Sequence, residues 1–400
     1  MFVHTTEVEN IKESILSDIW HKATHAPLQY RVLYLCAISL MLPFPVTCVV
    51  LPAAVVWALC QKEIRSRMFH DRKLWLLALP AVLVLVMPVV YGHWLGLAAG
   101  AGAVVVVLFY LFARTVCTDR ETFDTVLDLC CLGSVCAFVY ALFEPIGMWE
   151  GFRSSGGMLN PNYYGCAIEF TVLICLYKIL TRAEHRRFYV IVMLLNVTGI
   201  FLCDCQSAWP AVIGGVLVAL FLSEYSRHTL LYCMFALLVV VFLLTVPGML
   251  PRLDQIPESL QLRINIWTTA VKGIQESPLL GKGLLGYMTI WEKYGGYSTY
   301  HAHNLYLDPI LSIGIVGTAS LMGYVVLYLV RLKRSWNVIG NRRVVALISS
   351  VLASVLIHGF SDMTILWVQT GGYLLLILGG LNCKINCEKS LDMAELECYT

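Results

Sequence analysis

The stretch His301-Ala302-His303-Asn304-Leu305-Tyr306-Leu307 is a polar island in a chain that is hydrophobic nearly everywhere else. An imidazole titrates near neutral pH and can take a proton from an incoming hydroxyl. His303 directly precedes a long apolar run, where water is scarce and a fixed base is useful. The plain alternative is a structural histidine. A His pair at i and i+2 could also begin a metal site, but no carboxylate or cysteine cluster completes a set, so no metal is expected. Asn304 and Asp308 are placed to orient the ring or to cap the following helix.

Residues upstream offer a second kind of chemistry. Leu260, Ile264, Trp267, Val271 and Ile274 recur at helical spacing, with Arg263 one turn before Trp267. The pattern predicts a helix lying at a membrane surface, with a guanidinium at headgroup depth. Such a group suits bidentate phosphate recognition, or it simply snorkels. Ser277-Pro278-Leu279-Leu280-Gly281-Lys282-Gly283, followed by Gly286, reads as a helix stop. A second polar loop runs from Trp149 to Asn162. In it Asn160-Pro161 signals a turn, Asn162 can cap the next helix, and Arg153 is the single cation. Glu169 lies inside an apolar segment, where an ionisable group either marks function or bonds a neighbouring helix. Glu144 and Asp362 read as interfacial. Cys203 and Cys205 are weak evidence for a metal, since no further ligands accompany them.

These residues must be held by membrane helices. The chain is 58% hydrophobic and 14% charged, with a mean hydropathy of +0.73, whereas soluble domains carry about 25% charged residues. Runs of about 20 apolar residues recur throughout. The expected fold is all-α, a polytopic membrane protein of about twelve spans: 30–42, 45–60, 74–91, 95–116, 123–143, 163–180, 188–204, 207–223, 229–246, 304–330, 343–360 and 364–382. Pro43 and Pro45 either split the first run into two short helices or kink a single one. The fifteen cysteines sit mostly inside apolar segments, as small buried hydrophobes and not a disulfide framework.

Basic residues set the orientation. Lys62, Arg65, Arg67, Arg72 and Lys73; Arg114 and Arg120; Lys178, Arg182, Arg186 and Arg187; Arg227; and Arg331, Lys333, Arg334, Arg342 and Arg343 all fall in connections on one side. That side is expected to be cytoplasmic, with both termini, and residues 247–302 form a large extracytoplasmic loop. Residues 1–29 read as a cytoplasmic amphipathic segment with Val8, Ile11, Ile15, Ile19 and Trp20 on one face, or as a loose tail. Residues 30–382 form the membrane domain and 383–400 a cytoplasmic tail. No cleavable signal peptide is expected, because Glu7, Glu9, Glu13 and Asp18 interrupt the first 28 residues. There is no Walker-type loop and nothing that points to nucleic acid.

Taken in order, Arg263-x-x-x-Trp267, Ser277 to Gly283, His303-Asn304-Leu305-Tyr306-Leu307 and Gly314-Ile315-Val316-Gly317 resemble the O-antigen ligase and O-antigen polymerase family, as does the Asn-Pro-Asn of residues 160–162. The resemblance implies a GT-C-like membrane glycosyltransferase of the cytoplasmic membrane. Such an enzyme moves a glycan from undecaprenyl diphosphate, on the outer membrane face, to a glycan or other acceptor in surface-polysaccharide assembly. It also implies metal- and cofactor-independent chemistry, with His303 as catalytic base and Arg263 as a diphosphate contact. Arg153 is a second candidate contact. His301, Asn304, Asn160, Asn162, Trp267 and Gln206 are the expected supporting residues. The family's Ser-Arg-Gly-Ala segment reads Cys205-Gln206-Ser207-Ala208 here. An uncharged amide cannot neutralise a diphosphate, so either Arg153 substitutes or the donor is handled differently. A transporter of polysaccharide or lipid intermediates, or a non-catalytic scaffold, is the alternative. The transporter would carry midplane polar sites in two related halves.

Overall fold

The computed structural model describes residues 15–144, 153–181, 185–223, 228–245 and 255–383. Among these residues the regular structure is helical, in fifteen α-helices: α1 (Ile15–His25), α2 (Leu28–Ser39), α3 (Phe44–Cys60), α4 (Lys62–Met68), α5 (Trp75–Val90), α6 (Trp94–Val116), α7 (Arg120–Phe143), α8 (Pro161–Thr181), α9 (Arg186–Cys203), α10 (Ala208–Phe221), α11 (Thr229–Thr245), α12 (Ile256–Glu276), α13 (Asp308–Trp336), α14 (Arg342–Gly359) and α15 (Val368–Gly379). A helix coincides with each of the twelve apolar stretches, but among the described residues not every one of them is a full-length span. Seven helices among the described residues are long and apolar enough to cross a membrane, or eight if the bent α3–α4 pair counts as one. The shortfall lies in short helices such as α2 and α15, of 12 residues each, and α10, of 14. Pro43 and Pro45 resolve the first run into two helices, because α2 ends before them and α3 begins on them.

The central element is α8, which packs against α7, α9, α10, α14 and α15. Tyr164, Phe170 and Cys175 are buried along it in the main apolar cluster. Polar side chains inside the bundle are paired. Glu169 on α8 accepts from Ser354 Oγ at 2.6 Å and bonds His358 Nδ1, both on α14. The neighbouring-helix reading of Glu169 is therefore the one the structure bears out. Lys178 on α8 meets Asp124 and Asp128 of α7 at 2.9 and 2.8 Å. The thirteen described cysteines are all free thiols. On α1, Ile15 and Ile19 join the main core, whereas Trp20 is exposed and off that face; Val8 and Ile11 lie outside the described residues.

Helix directions put Asn162, Tyr91 and Asp308 at one end of the bundle, and Lys178, Arg72 and Arg334 at the other. The first end carries the folded part of the 247–302 loop, of which 247–254 lie outside the described residues. There α12 buries Ile266, Thr269, Ala270 and Gly273. The stripe read from sequence is a different face: Leu260, Ile264 and Val271 are exposed, while Trp267 and Ile274 border a small core of Ile266, Ala270, Tyr287, Ile290, Ala302 and Leu311. Small residues make the inward face because the loop approaches closely; a Cβ on Gly273 would lie 2.2 Å from Ile290 Cδ1.

The segment after α12 is more than a helix stop. α13 is broken at Gly314, whose φ is 64°. The freed backbone there pairs with residues 278–283: Lys282 N donates to Leu311 O and Gly283 N to Ser312 O, both at 2.8 Å, and Ile315 N donates to Pro278 O at 2.8 Å. Gly281 and Gly314 are required at the crossing. A Cβ on Gly281 would sit 2.5 Å from Ser312 O, and one on Gly314 would sit 2.2 Å from Leu279 O. Backbone unwound at membrane depth is tolerated where protein satisfies it, and this motif does so. Lys282 then reaches Glu276 at 2.7 Å and lies over the Tyr91 ring at 4.5 Å, fastening the loop to the end of α5.

Candidate active site

His303 sits where the loop turns down into α13. Its φ is 45°, left-handed for a side chain that prefers otherwise, a conformation that costs about 1–3 kcal/mol and persists only where surroundings enforce it. Three contacts enforce it. His303 N donates to His301 Nδ1 at 3.2 Å, Trp267 Nε1 on α12 donates to His303 O at 3.4 Å, and Asn304 fixes the next turn. Asn304 Oδ1 accepts from Tyr306 N and Leu307 N at 2.9 and 3.0 Å, while its Nδ2 donates to Phe360 O at 2.9 Å. Asn304 thus orders the turn that leads into α13 and ties it to the end of α14. Asp308 takes the Ala302 N–H at 2.8 Å.

The ring of His303 is held from the turn after α14. Asp362 Oδ1 lies 2.7 Å from His303 Nδ1. Asp362 is 2% exposed, so its reading as an interfacial carboxylate is incomplete: it is the centre of the cluster. Its other oxygen accepts from Asn162 Nδ2 at 2.6 Å, and Asn162 Oδ1 accepts from Arg153 at 2.7 Å. Burial alone would raise the Asp362 carboxyl, but the charge and hydrogen bond of His303, with His301 and His358 beyond, more than offset this and hold it well below the usual carboxylate range. An ionised carboxylate only accepts, so His303 carries its proton on Nδ1 and presents its lone pair at Nε2.

Arg153 is anchored elsewhere too, through Nε to Cys203 O at 3.0 Å. The sequence reading of Arg153 as a loop cation gave no hint of this. Its loop is shaped by Glu144, which accepts from Ser155 N and Gly156 N at 2.7 and 3.1 Å, and by Gly157, whose carbonyl accepts from Phe44 N at 2.8 Å. The loop residues Trp149 to Phe152 lie outside the described residues. Asn160 Oδ1 accepts from Asn162 N at 2.8 Å, a local turn at the head of α8.

Arg263, half-buried on α12, donates to Ser361 O beside Asp362, and Ser361 Oγ lies 2.6 Å from Ser207 Oγ at the start of α10. Gln206 therefore sits one residue from a group that touches the site, half-buried in the α9–α10 turn. His301 is 3% exposed. Burial drives its pKa down to about 3, with the charge of His303 adding to the effect, so it is neutral. Its Nε2 faces Tyr163 Oη at 3.5 Å, and Tyr163 stacks on Trp367, which stacks on Phe44.

The structure thus brings His303, Arg263, Trp267, His301, Asn304, Asn162 and Arg153 into one cluster, with Asn160 and Gln206 at its edge. It adds Asp362, Ser361 and Thr299, whose Oγ1 lies 2.8 Å from His303 Nε2. An acid in Gly359-Phe360-Ser361-Asp362, at the same end of the bundle as the loop, was the available signal for Asp362. Thr299 has none in the sequence. His301, His303 and Asp362 also place three metal-ligand atoms within 4.8 Å of one another. The expectation that no carboxylate completes a ligand set is corrected by Asp362. Two of these groups already make hydrogen bonds through Nδ1, His303 to Asp362 Oδ1 at 2.7 Å and His301 to the His303 amide at 3.2 Å.

What the arrangement can do is general-base chemistry beside two guanidinium groups, at the end of a helical bundle. Residues 189–322, which hold Arg263, the segment crossing Gly314 and His303, match the family model described as O-antigen ligase. No curated protein matches the chain. The matched region, with the order of motifs inside it and the helical bundle around it, supports the O-antigen ligase and polymerase family for this multi-pass membrane protein.

Proposed function

We propose that this membrane protein of O-antigen ligation or polymerisation transfers a glycan from undecaprenyl diphosphate to an acceptor hydroxyl, on the outer face of the cytoplasmic membrane. The observation that carries the reading is the His303–Asp362 pair, 2.7 Å apart, with Arg263 held at the adjoining Ser361. The acceptor oxygen attacks the anomeric carbon, and the bond from that carbon to the diphosphate oxygen breaks with inversion. The electron pair leaves on the diphosphate, and the acceptor proton passes to His303 Nε2. Asp362 stabilises the imidazolium so formed. Arg263, and Arg153 from the side of Asn162, offset the negative charge that grows on the leaving diphosphate. No metal takes part, since the carboxylate and the guanidinium groups supply both charges the transfer requires.

The test is conversion of lipid-linked oligosaccharide by purified protein or membranes. His303→Ala should insert and fold normally, because its ring lies at the bundle end and not in the packed interior, yet transfer should fall by about 10²–10⁴-fold. His301→Ala should be milder, and chelators should leave the rate unchanged. Normal conversion by a well-folded His303→Ala protein would remove the transferase reading.

A further inference from the structure

The nitrogen of His303 that an acceptor must reach is Nε2, since Nδ1 faces Asp362. In the structure that nitrogen already has a hydroxyl on it. Thr299 Oγ1 lies 2.8 Å away, and with the ring proton on Nδ1 the threonine is the donor. Its geometry is the one an acceptor hydroxyl needs before it gives up its proton. We propose that Thr299 is a positioning residue that caps His303 Nε2 in the resting protein, and that the hydroxyl of the acceptor sugar replaces it. This rests on the transferase reading given above.

The surroundings show which part yields. Tyr297 N is held by Asn265 Oδ1 of α12 at 2.8 Å, and Gly296 is wedged against Thr269 and Tyr287. On the other side His301 is buried and Ala302 N is bound to Asp308. The backbone of residues 297–302 is therefore pinned at both ends, and Thr299 needs only a turn about its Cα–Cβ bond to leave Nε2. A capped base also has no lone pair for water, so the donor is shielded from hydrolysis until an acceptor arrives. The charged and titratable groups around the ring are Asp362 from the turn after α14, His301 in the same loop, Asp308 at the head of α13, and Arg263 on α12 beyond His301. None of them changes when Thr299 is replaced.

The experiment compares Thr299→Val, which keeps the shape without the hydroxyl, with Thr299→Ser, which keeps the hydroxyl. With Val the acceptor no longer competes with an internal hydrogen bond. The acceptor KM should fall about three- to tenfold, the equivalent of one such bond, with a much smaller change in kcat. Ser should resemble the wild type in both. Independently of turnover, diethyl pyrocarbonate should modify His303 several-fold faster in Thr299→Val, read by peptide mass spectrometry with His303→Ala as the blank. An unchanged modification rate would overturn the cap whatever the transferase does. So would a large loss of kcat in Val restored by Ser, which is the behaviour of a proton relay. A faster modification rate in a protein whose wild type transfers no glycan would instead overturn the transferase reading.

Discussion

At the scale of single residues, the site is a row of charge-assisted contacts running from Arg153 through Asn162 and Asp362 to His303. The orientation of the imidazole is set by a carboxylate 59 positions later in the chain, and the amide of Asn162 is oriented by the two charges on either side of it. Arg153 braces Asn162, and in the proposed transfer it is also a cation near the leaving group. Arg263 is held by the carbonyl of Ser361, next to Asp362, and not by Asn162. Arg263→Ala should raise the donor KM roughly 10- to 150-fold, the loss of a contact worth about 1.5–3 kcal/mol. Arg153→Ala should cost a similar factor in donor use and lower kcat as well, since Asn162 is released. Gln206→Arg in the Arg153→Ala background should recover donor KM more than kcat. Steady-state kinetics with lipid-linked donor separates these parameters. Wild-type turnover in Arg153→Ala would take that residue out of the site.

At the scale of elements, the site depends on two joints. One is between α8 and α14, where Glu169 pairs with His358 and Ser354 two turns below the Asn162–Asp362 contact, so that the two helices are held in register above and below. The other is the crossing of residues 278–283 with the break in α13. Gly281→Ala should destabilise by about 1–2 kcal/mol from its left-handed backbone alone, plus the clash with Ser312. Gly295, at φ 63° with open space around it, provides the comparison. Gly295→Ala should lose only the backbone part, and thermal unfolding in detergent should rank wild type, Gly295→Ala and Gly281→Ala in that order. The same joint has a pH signature. Hydrogen bonds from Lys282, Lys293 and Tyr294 hold the Glu276 carboxyl down at about 2, below the unfolded value of about 4.3. A depressed carboxylate contributes its stability above the unfolded value and loses it as pH falls through the folded one. The loop should therefore resist pepsin at pH 4, loosen progressively toward pH 2, and lose this dependence in Glu276→Gln.

At the scale of the whole molecule, helix direction segregates the described residues into an end that holds the His303 cluster and a basic end. Lys178, Arg120 and Arg186 lie at the end opposite His303. Basic connections stay on the cytoplasmic side of a membrane, so the His303 end should face outward. With Cys48, Cys60, Cys136 and Cys233, the exposed cysteines among the described residues, and also Cys387 and Cys398 replaced, Lys293→Cys should label with an impermeant maleimide in intact cells and Arg186→Cys only after permeabilisation. The reverse pattern would put the donor on the wrong side.

Hydropathy, charge placement and the polar loops were enough to read an all-α membrane protein and to put His303, Arg263 and Asn162 among the residues of interest. Those features are local: a span needs only consecutive apolar residues, and an Asn-Pro-Asn turn or a His before a helix is visible in a short window. Helix length was less local, since Pro43 and Pro45 divide the first apolar run and α10 and α15 are 14 and 12 residues long. The meaning of Ser277 to Gly283 was not local, since its partner is the unwound backbone at Gly314 some thirty residues later. Asp362 and Thr299 were decided only by the tertiary structure. One hydrogen-bonds a ring across α13 and α14, and the other turns a loop side chain onto the nitrogen that its carboxylate partner leaves free. Sequence determines which groups are available, but a proton's path depends on which of them lie within 3 Å, and that is a property of the folded chain.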